Sequence, residues 1–199
     1  MNTDLGKYLH VIEGFGDSEQ LSVLVVRGST LAQVAEALGA DLGTTADPWD
    51  VYEGQTAWAF LELPDGVLAI ERSGYGDPAL DVLASLSGRG PVAVVRSNIM
   101  AHTRFGCARD GVVLFDEDEY VFAEDPESVP AEIRPLFYLA WDDLESEPDE
   151  NRPDGFVVGL AMSEEITGVA VTAENAAAVS ESSYHPAPSM QYAGGGEEF

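Results

Sequence analysis

Positive charge is scarce in this chain. Nine lysines and arginines stand against 36 aspartates and glutamates, for a formal net charge of −27. A small soluble domain usually stays within roughly eight charges of neutral. Direct binding to nucleic-acid phosphates or to an anionic membrane face is therefore excluded unless a basic patch is shielded from the acids. Cysteine is scarcer still: Cys107 stands alone, without an intrachain partner for a disulfide. None is needed, because a chain of 199 residues can bury roughly 70% of its unfolded surface. Long apolar runs are missing too. The longest, Phe156 to Met162, falls well short of the ~18 residues of a membrane span. Met1 to Lys7 has no basic segment followed by an apolar one, which reads against a secretory signal. The expectation is a soluble, cytoplasmic protein with no membrane partner and no direct nucleic-acid partner.

What is present points to a folded domain. Hydrophobic residues make up 45% of the chain, far too many for a disordered coil. The charge is unevenly spread. Residues 116–150 carry fourteen acids and one base, a net −13, whereas residues 56–115 carry six acids and five arginines. Lysine occurs once while alanine, glycine and valine are plentiful, the bias of a high-GC genome, so part of the acidity is background.

Apolar runs at Tyr8–Ile12 and Leu21–Val26 read as strands. Thr30 then caps a helix, with Gln33 completing a capping box, Leu31, Val34, Ala35 and Leu38 forming its stripe and Gly39 ending it. Strands over 57–63 and 67–72 flank the Pro64-Asp65-Gly66 turn. Asp77-Pro78 reads as an N-cap and first helical position ahead of Ala79, Val82, Leu83 and Leu86. A strand over 91–97 precedes a second hairpin, 103–108 and 112–115, around Asp110-Gly111. Further helices are expected over Ile133–Trp141, after Asp154 as far as Gly168, and after Thr172. Sequential hairpins predict an α+β fold: a largely antiparallel sheet with helices packed on one face. Residues 1–178 form the expected domain, and the Ser-, Pro-, Gly- and Glu-rich residues 179–199 the expected disordered tail.

Several short patterns invite a chemical reading. Gly74-Tyr75-Gly76-Asp77-Pro78-Ala79 matches a dinucleotide fingerprint between strand and helix. However, Asp77 would place a carboxylate where the pyrophosphate belongs, and Pro78 has no N–H to offer it. Asp116-Glu117-Asp118-Glu119 opens like a calcium loop, but Val121 stands where that loop requires glycine. Cys107 is two residues from Phe105 and shares its side of a strand, while His102 and Arg104 take the other side, so a Cys–His nucleophile pair has the wrong parity. His10 and His185 are far apart, which indicates no metal cluster, and no cofactor motif is present.

Two groups remain as candidates. Arg96, His102 and Arg104 could bind an anion; the plainer reading pairs them with Glu62, Glu71 or the 116–119 run. Asp116, Glu117, Asp118 and Glu119, with Tyr120, Phe122 and Trp141 as aromatic anchors, could bind a basic protein partner.

Leu24 to Thr30, Leu38 to Asp41, Ser97-Asn98 with Arg104-Phe105, Ala108 to Gly111, Glu165 to Val169 and Thr172 to Glu174 resemble an uncharacterised actinobacterial domain-of-unknown-function family. The resemblance covers about residues 8–178. It implies a cytoplasmic, single-domain protein and carries no established activity. Three readings follow. The first is a non-enzymatic acidic interaction domain, of which an immunity- or antitoxin-like inhibitor or a mimic of nucleic-acid charge would be a case. The second is a small anionic-ligand or enzymatic site at Arg96, His102 and Arg104, and the third a stable domain with background acidity only.

Overall fold

The computed structural model describes residues 4–16, 20–49, 54–98, 100, 102–142 and 151–190. In chain order the elements are α1 (Gly6–Phe15), β1 (Leu21–Arg27), α2 (Leu31–Ala37), β2 (Gln55–Leu63), β3 (Gly66–Glu71), α3 (Leu80–Leu86), β4 (Val92–Ser97), β5 (Thr103–Arg109), β6 (Val112–Glu117), α4 (Arg134–Ala140), α5 (Gly155–Thr167), α6 (Ala173–Ser180) and β7 (Tyr184–Pro188). Seven strands form one sheet in the order β6-β5-β4-β1-β3-β2-β7, every pair antiparallel.

The α+β class follows from local signals. The Thr30 side chain accepts a hydrogen bond from the Gln33 amide, and the Gln33 side chain accepts one from the Thr30 amide, so the capping box is closed in both directions. Thr172 and Asn175 do the same for α6. Asp154 accepts from the amides of Phe156 and Val157 to start α5, and left-handed Gly168 ends it. At the β5–β6 turn Asp110 and Gly111 have φ of 53° and 80°, the two positive values that a tight hairpin turn needs.

Both faces of the sheet are covered. The first carries Val23, Val25, Leu68, Ile70, Val95 and Phe105 against α1, α4, α5 and α6. The second carries Leu24, Val26, Trp58, Ala69 and Val94 against the short helices α2 and α3. The expectation of helices on one face is corrected accordingly. The unbroken apolar runs of β1 and β4 already carried that signal, because a strand buried on both sides need not alternate.

Three further expectations are corrected. Tyr8–Ile12 lies in a helix, since Tyr8, Val11 and Phe15 bury one side at helical spacing. Residues 184–188 are strand β7 rather than tail, held by pairing with β2 from Gln55↔Pro188 to Ala59↔Tyr184. Residues 191–199 of the expected tail lie outside the described residues. Asp77 does not cap α3; Ala79 occupies that position, and the Asp77 side chain is used elsewhere.

Candidate functional site

A polar row crosses the second face at one end of the sheet. Trp58 stands opposite Glu71, Glu71 opposite Ser22, Ser22 opposite Arg96, and Arg96 opposite Arg104. Side chains alternate along a strand, so these residues share the α2/α3 side with Val94 and Ala69. Glu71 is fully buried. Its carboxylate accepts from Thr56 Oγ1 at 2.7 Å, from the amides of Ser73 and Gly74, and from the Ser73 hydroxyl. It thereby pins the chain leaving β3.

That chain then passes over the row. Gly76 lies so close to Glu71 that a Cβ would fall 2.5 Å from the Glu71 Cγ, and the neighbouring Asp77 turns inward. The glycine pattern that resembled a nucleotide loop is thus a backbone packed onto a buried carboxylate. Arg104 is completely buried. Its Nη1 donates to Asp77 Oδ1 and to the Pro78 carbonyl at 2.9 Å, while its Nε donates to Asp116 Oδ1 at 2.9 Å. Arg96 places Nε 2.9 Å from Asp77 Oδ2 and Nη2 2.6 Å from Asp118 Oδ1. His102, partly exposed, lies 2.7 Å from Glu119. Burial pushes the Asp77 carboxyl above the ordinary aspartate range, against the pull of Arg104 and Arg96.

The three residues predicted as an anion site are therefore brought together but already occupied by carboxylates. The plainer reading, ion pairing, describes their contacts; the partners are Asp116, Asp118 and Glu119 together with Asp77, and neither Glu62 nor Glu71 appears among them. Asp116, Asp118 and Glu119 each turn to a different side chain, Arg104, Arg96 and His102, rather than to a common centre. Cys107 faces the first core, fully buried, and burial raises its thiol to about 12. Sequence reasoning assigned Asp77 to a helix cap and gave Glu71 no more than a possible pairing role. For Glu71 a signal existed: an acid following Val67 and Ala69 on one side of a strand buried on both faces must be buried too.

The predicted partner-binding residues divide. Tyr120 is buried, donates to the Gly155 carbonyl at 2.6 Å, and meets Phe105 and Phe137 with ring centroids 6.0 Å away, so it is a core residue and is corrected as an anchor. Trp141 is half-buried and donates through Nε1 to the Ala123 carbonyl at 3.1 Å. Phe122 is 41% exposed, and α4 adds Tyr138 and Leu139 at 43% each. The Tyr138 ring lies 5.8 Å from that of Trp141 and edge-on to it, so these two rings pack together. Glu117, Asp118, Glu124, Asp125, Glu127 and Glu132 of the same segment are exposed, and Glu127 accepts from the Tyr138 hydroxyl at 3.2 Å. The acids at 143–150 lie outside the described residues.

The chain has nine lysines and arginines. Lys7, Arg96, Arg104, Arg109, Arg134 and Arg152 each pair with a carboxylate. Arg72 is buried and donates to Tyr184 Oη at 2.7 Å, Ser180 Oγ at 3.0 Å and the Phe15 carbonyl. Arg27 reaches the Thr167 carbonyl at the end of α5. Arg89 has no partner among the described residues.

Residues 12–187 match the model of DUF6461, a family of unknown function. The chain belongs to DUF6461. The match takes in all seven strands up to Ala187, so the polar row and the acidic surface both fall inside the family's span. No curated protein and no solved structure matches the chain. Among the described residues, no helix is long and apolar enough to cross a membrane, and no group of three or more His, Cys, Asp and Glu side chains gathers to hold a metal.

Proposed function

We propose that this DUF6461 chain is a cytoplasmic, actinobacterial interaction domain that binds a basic protein partner through the surface built from residues 117–142. The observation that carries the reading is the packed ring pair of Tyr138 and Trp141, with Phe122, Tyr138 and Leu139 exposed in a segment rich in exposed carboxylates. Aromatic anchors surrounded by charge of one sign are what a cation-rich protein surface recognises. Long-range attraction from a chain of net charge −27 would speed the encounter. An inhibitor of the immunity or antitoxin kind, or a mimic of nucleic-acid charge, is a specific case of this reading.

The test is capture of basic proteins by the full chain at low and high salt, repeated with Glu124, Asp125, Glu127 and Glu132 changed to their amides. Binding is expected to fall steeply with salt and with the amide substitutions. Capture that ignores both would exclude electrostatic recognition by this surface. Absence of any basic partner at low salt would leave the acidity as compositional background.

A further inference from the structure

Eight of the nine cations are held by a protein partner, and the ninth, Arg89, lines a cleft of about 360 Å³ between α2 and α3. In a chain with 36 acids, an arginine left without a carboxylate is the exception that needs a reason. The same cleft presents Glu36, which is exposed and equally unpaired among the described residues. Arg89 and Glu36 thus line one cavity without pairing with each other. Ser29 and Ser85 add two hydroxyls without hydrogen-bond partners among the described residues. Gln33 spends its Oε1 on the Thr30 amide and keeps its NH₂ for the cleft.

The wall that carries these groups is set by close backbone packing. The Arg27 amide donates to the Pro91 carbonyl at 3.0 Å, and the Gly28 amide to the Asp65 carbonyl at 2.9 Å. A Cβ on Gly28 would fall 2.8 Å from the Arg89 carbonyl oxygen, and one on Gly90 would fall 2.6 Å from that of Arg27. The strand-to-helix turn that bears Ser29 is thereby held against the turn that bears Arg89.

We infer that the cleft between α2 and α3 binds a small zwitterion of the amino-acid type. Its carboxylate would lie on Arg89, with Ser29, Ser85 and Gln33 donating, and its ammonium on Glu36. A carboxylate alone would leave Glu36 repelling it, and an amine alone would leave Arg89 unpaired. A zwitterion answers both charges at once. The site lies apart from residues 117–142 and stands independently of the proposed partner surface.

The experiment is an amide-resolved NMR titration of the full chain with L-glutamine, succinate and putrescine as probes. L-glutamine is expected to shift the signals of 29–37 and 85–90, with succinate and putrescine each binding more weakly. Arg89→Gln should weaken L-glutamine binding roughly tenfold or more, the loss expected for a charge-assisted contact. Glu36→Gln should narrow the gap between L-glutamine and succinate. Both side chains are exposed, so unchanged spectra elsewhere would verify the fold of each variant. No shift with L-glutamine, shifts that survive Arg89→Gln, or succinate binding as tightly as L-glutamine to the wild type would each overturn the inference.

Discussion

The Arg104 guanidinium lies against the Asp77 carboxylate, twenty-seven residues away in sequence, with neither side chain reaching solvent appreciably. Asp116 closes the other side, its Oδ1 2.8 Å from Arg104 Nη2. Removing the cation would deprive the buried Asp116 carboxylate of its guanidinium and leave Asp77 to Arg96 alone; breaking a buried pair in this way typically costs about 3–5 kcal/mol. Arg104→Met is therefore expected to lower the urea midpoint strongly. Adding Asp77→Asn and Asp116→Asn to it should restore part of the loss, because apolar or neutral replacements of a whole buried ionic group are tolerated far better than half of one. Failure of the triple variant to recover anything would show that the side chains matter for shape rather than charge.

Asp77 also sets a pH dependence. Burial raises its folded pKa above the unfolded value. The folded state therefore holds the proton more tightly than the unfolded state. Its stabilising contribution is present below the ordinary aspartate range and is lost as pH rises through the raised folded value. Relative to Asp77→Asn, the wild type should lose stability across that window and then level off, as measured by denaturant midpoints at successive pH values. A difference that instead grows in the wild type's favour would mean that Arg104 and Arg96 outweigh burial.

Much of this molecule was legible from local chemistry. The Thr30 capping box, the Pro64-Asp65-Gly66 and Asp110-Gly111 turns and the opposite parity of Arg104 and Cys107 each depend on residues within a few positions of one another. The contacts of Asp77 are of another kind: nothing near it in sequence distinguishes a helix cap from an ion-pair partner of β5, because the choice is made by how the chain returns over the sheet. β7 is similar. Its sequence, Tyr184-His185-Pro186-Ala187-Pro188, has little intrinsic strand character and two residues that cannot donate to a ladder. It is a strand because it lies at the edge of the sheet, where only one side must pair.

Gly106 and Gly111 should respond differently to alanine. At Gly106 a Cβ would fall 2.2 Å from Asp116 Oδ1, so Gly106→Ala pushes that carboxylate off Arg104. An overpacking cost of about 1–3 kcal/mol is expected. At Gly111 a Cβ meets nothing within 4 Å, and the cost comes from φ of 80° alone, about 1 kcal/mol. Combining each with the triple Arg104, Asp77 and Asp116 variant separates the causes. The Gly106→Ala penalty should shrink in that background, and the Gly111→Ala penalty should not.

The Cys107 thiol should be inert in the folded protein. Burial, reinforced by the charges of Asp116 and Glu132, raises it to about 12, so almost no thiolate exists at neutral pH. A thiol-specific chromogenic reagent is expected to react only as the chain unfolds, at a rate that follows denaturant concentration. Prompt reaction in native buffer would contradict the burial of Cys107 in the core and reopen its role as a nucleophile.

Two tyrosines eighteen positions apart test the proposed partner surface against the core beneath it. Tyr120 Oη gives its proton to the Gly155 carbonyl, and its ring packs in the aromatic cluster with Phe105 and Phe137. Tyr120→Phe leaves that carbonyl without its donor, which costs about 1–3 kcal/mol. It should leave binding of a basic partner unchanged once the protein is folded. Tyr138 Oη bonds Glu127 on the surface, with the ring open to solvent and edge-on to Trp141. Tyr138→Ser is expected to leave the denaturation midpoint in place and to weaken partner binding, chiefly through faster dissociation, as loss of an anchor does. The amide variants at Glu124, Asp125 and Glu132 should act on the association rate and its salt dependence instead, because they alter the field and leave the Tyr138–Glu127 contact in place. If Tyr138→Ser and the amide variants change the same rate constant, the aromatic side chains and the carboxylates of the same segment do not have the separate roles assigned to them.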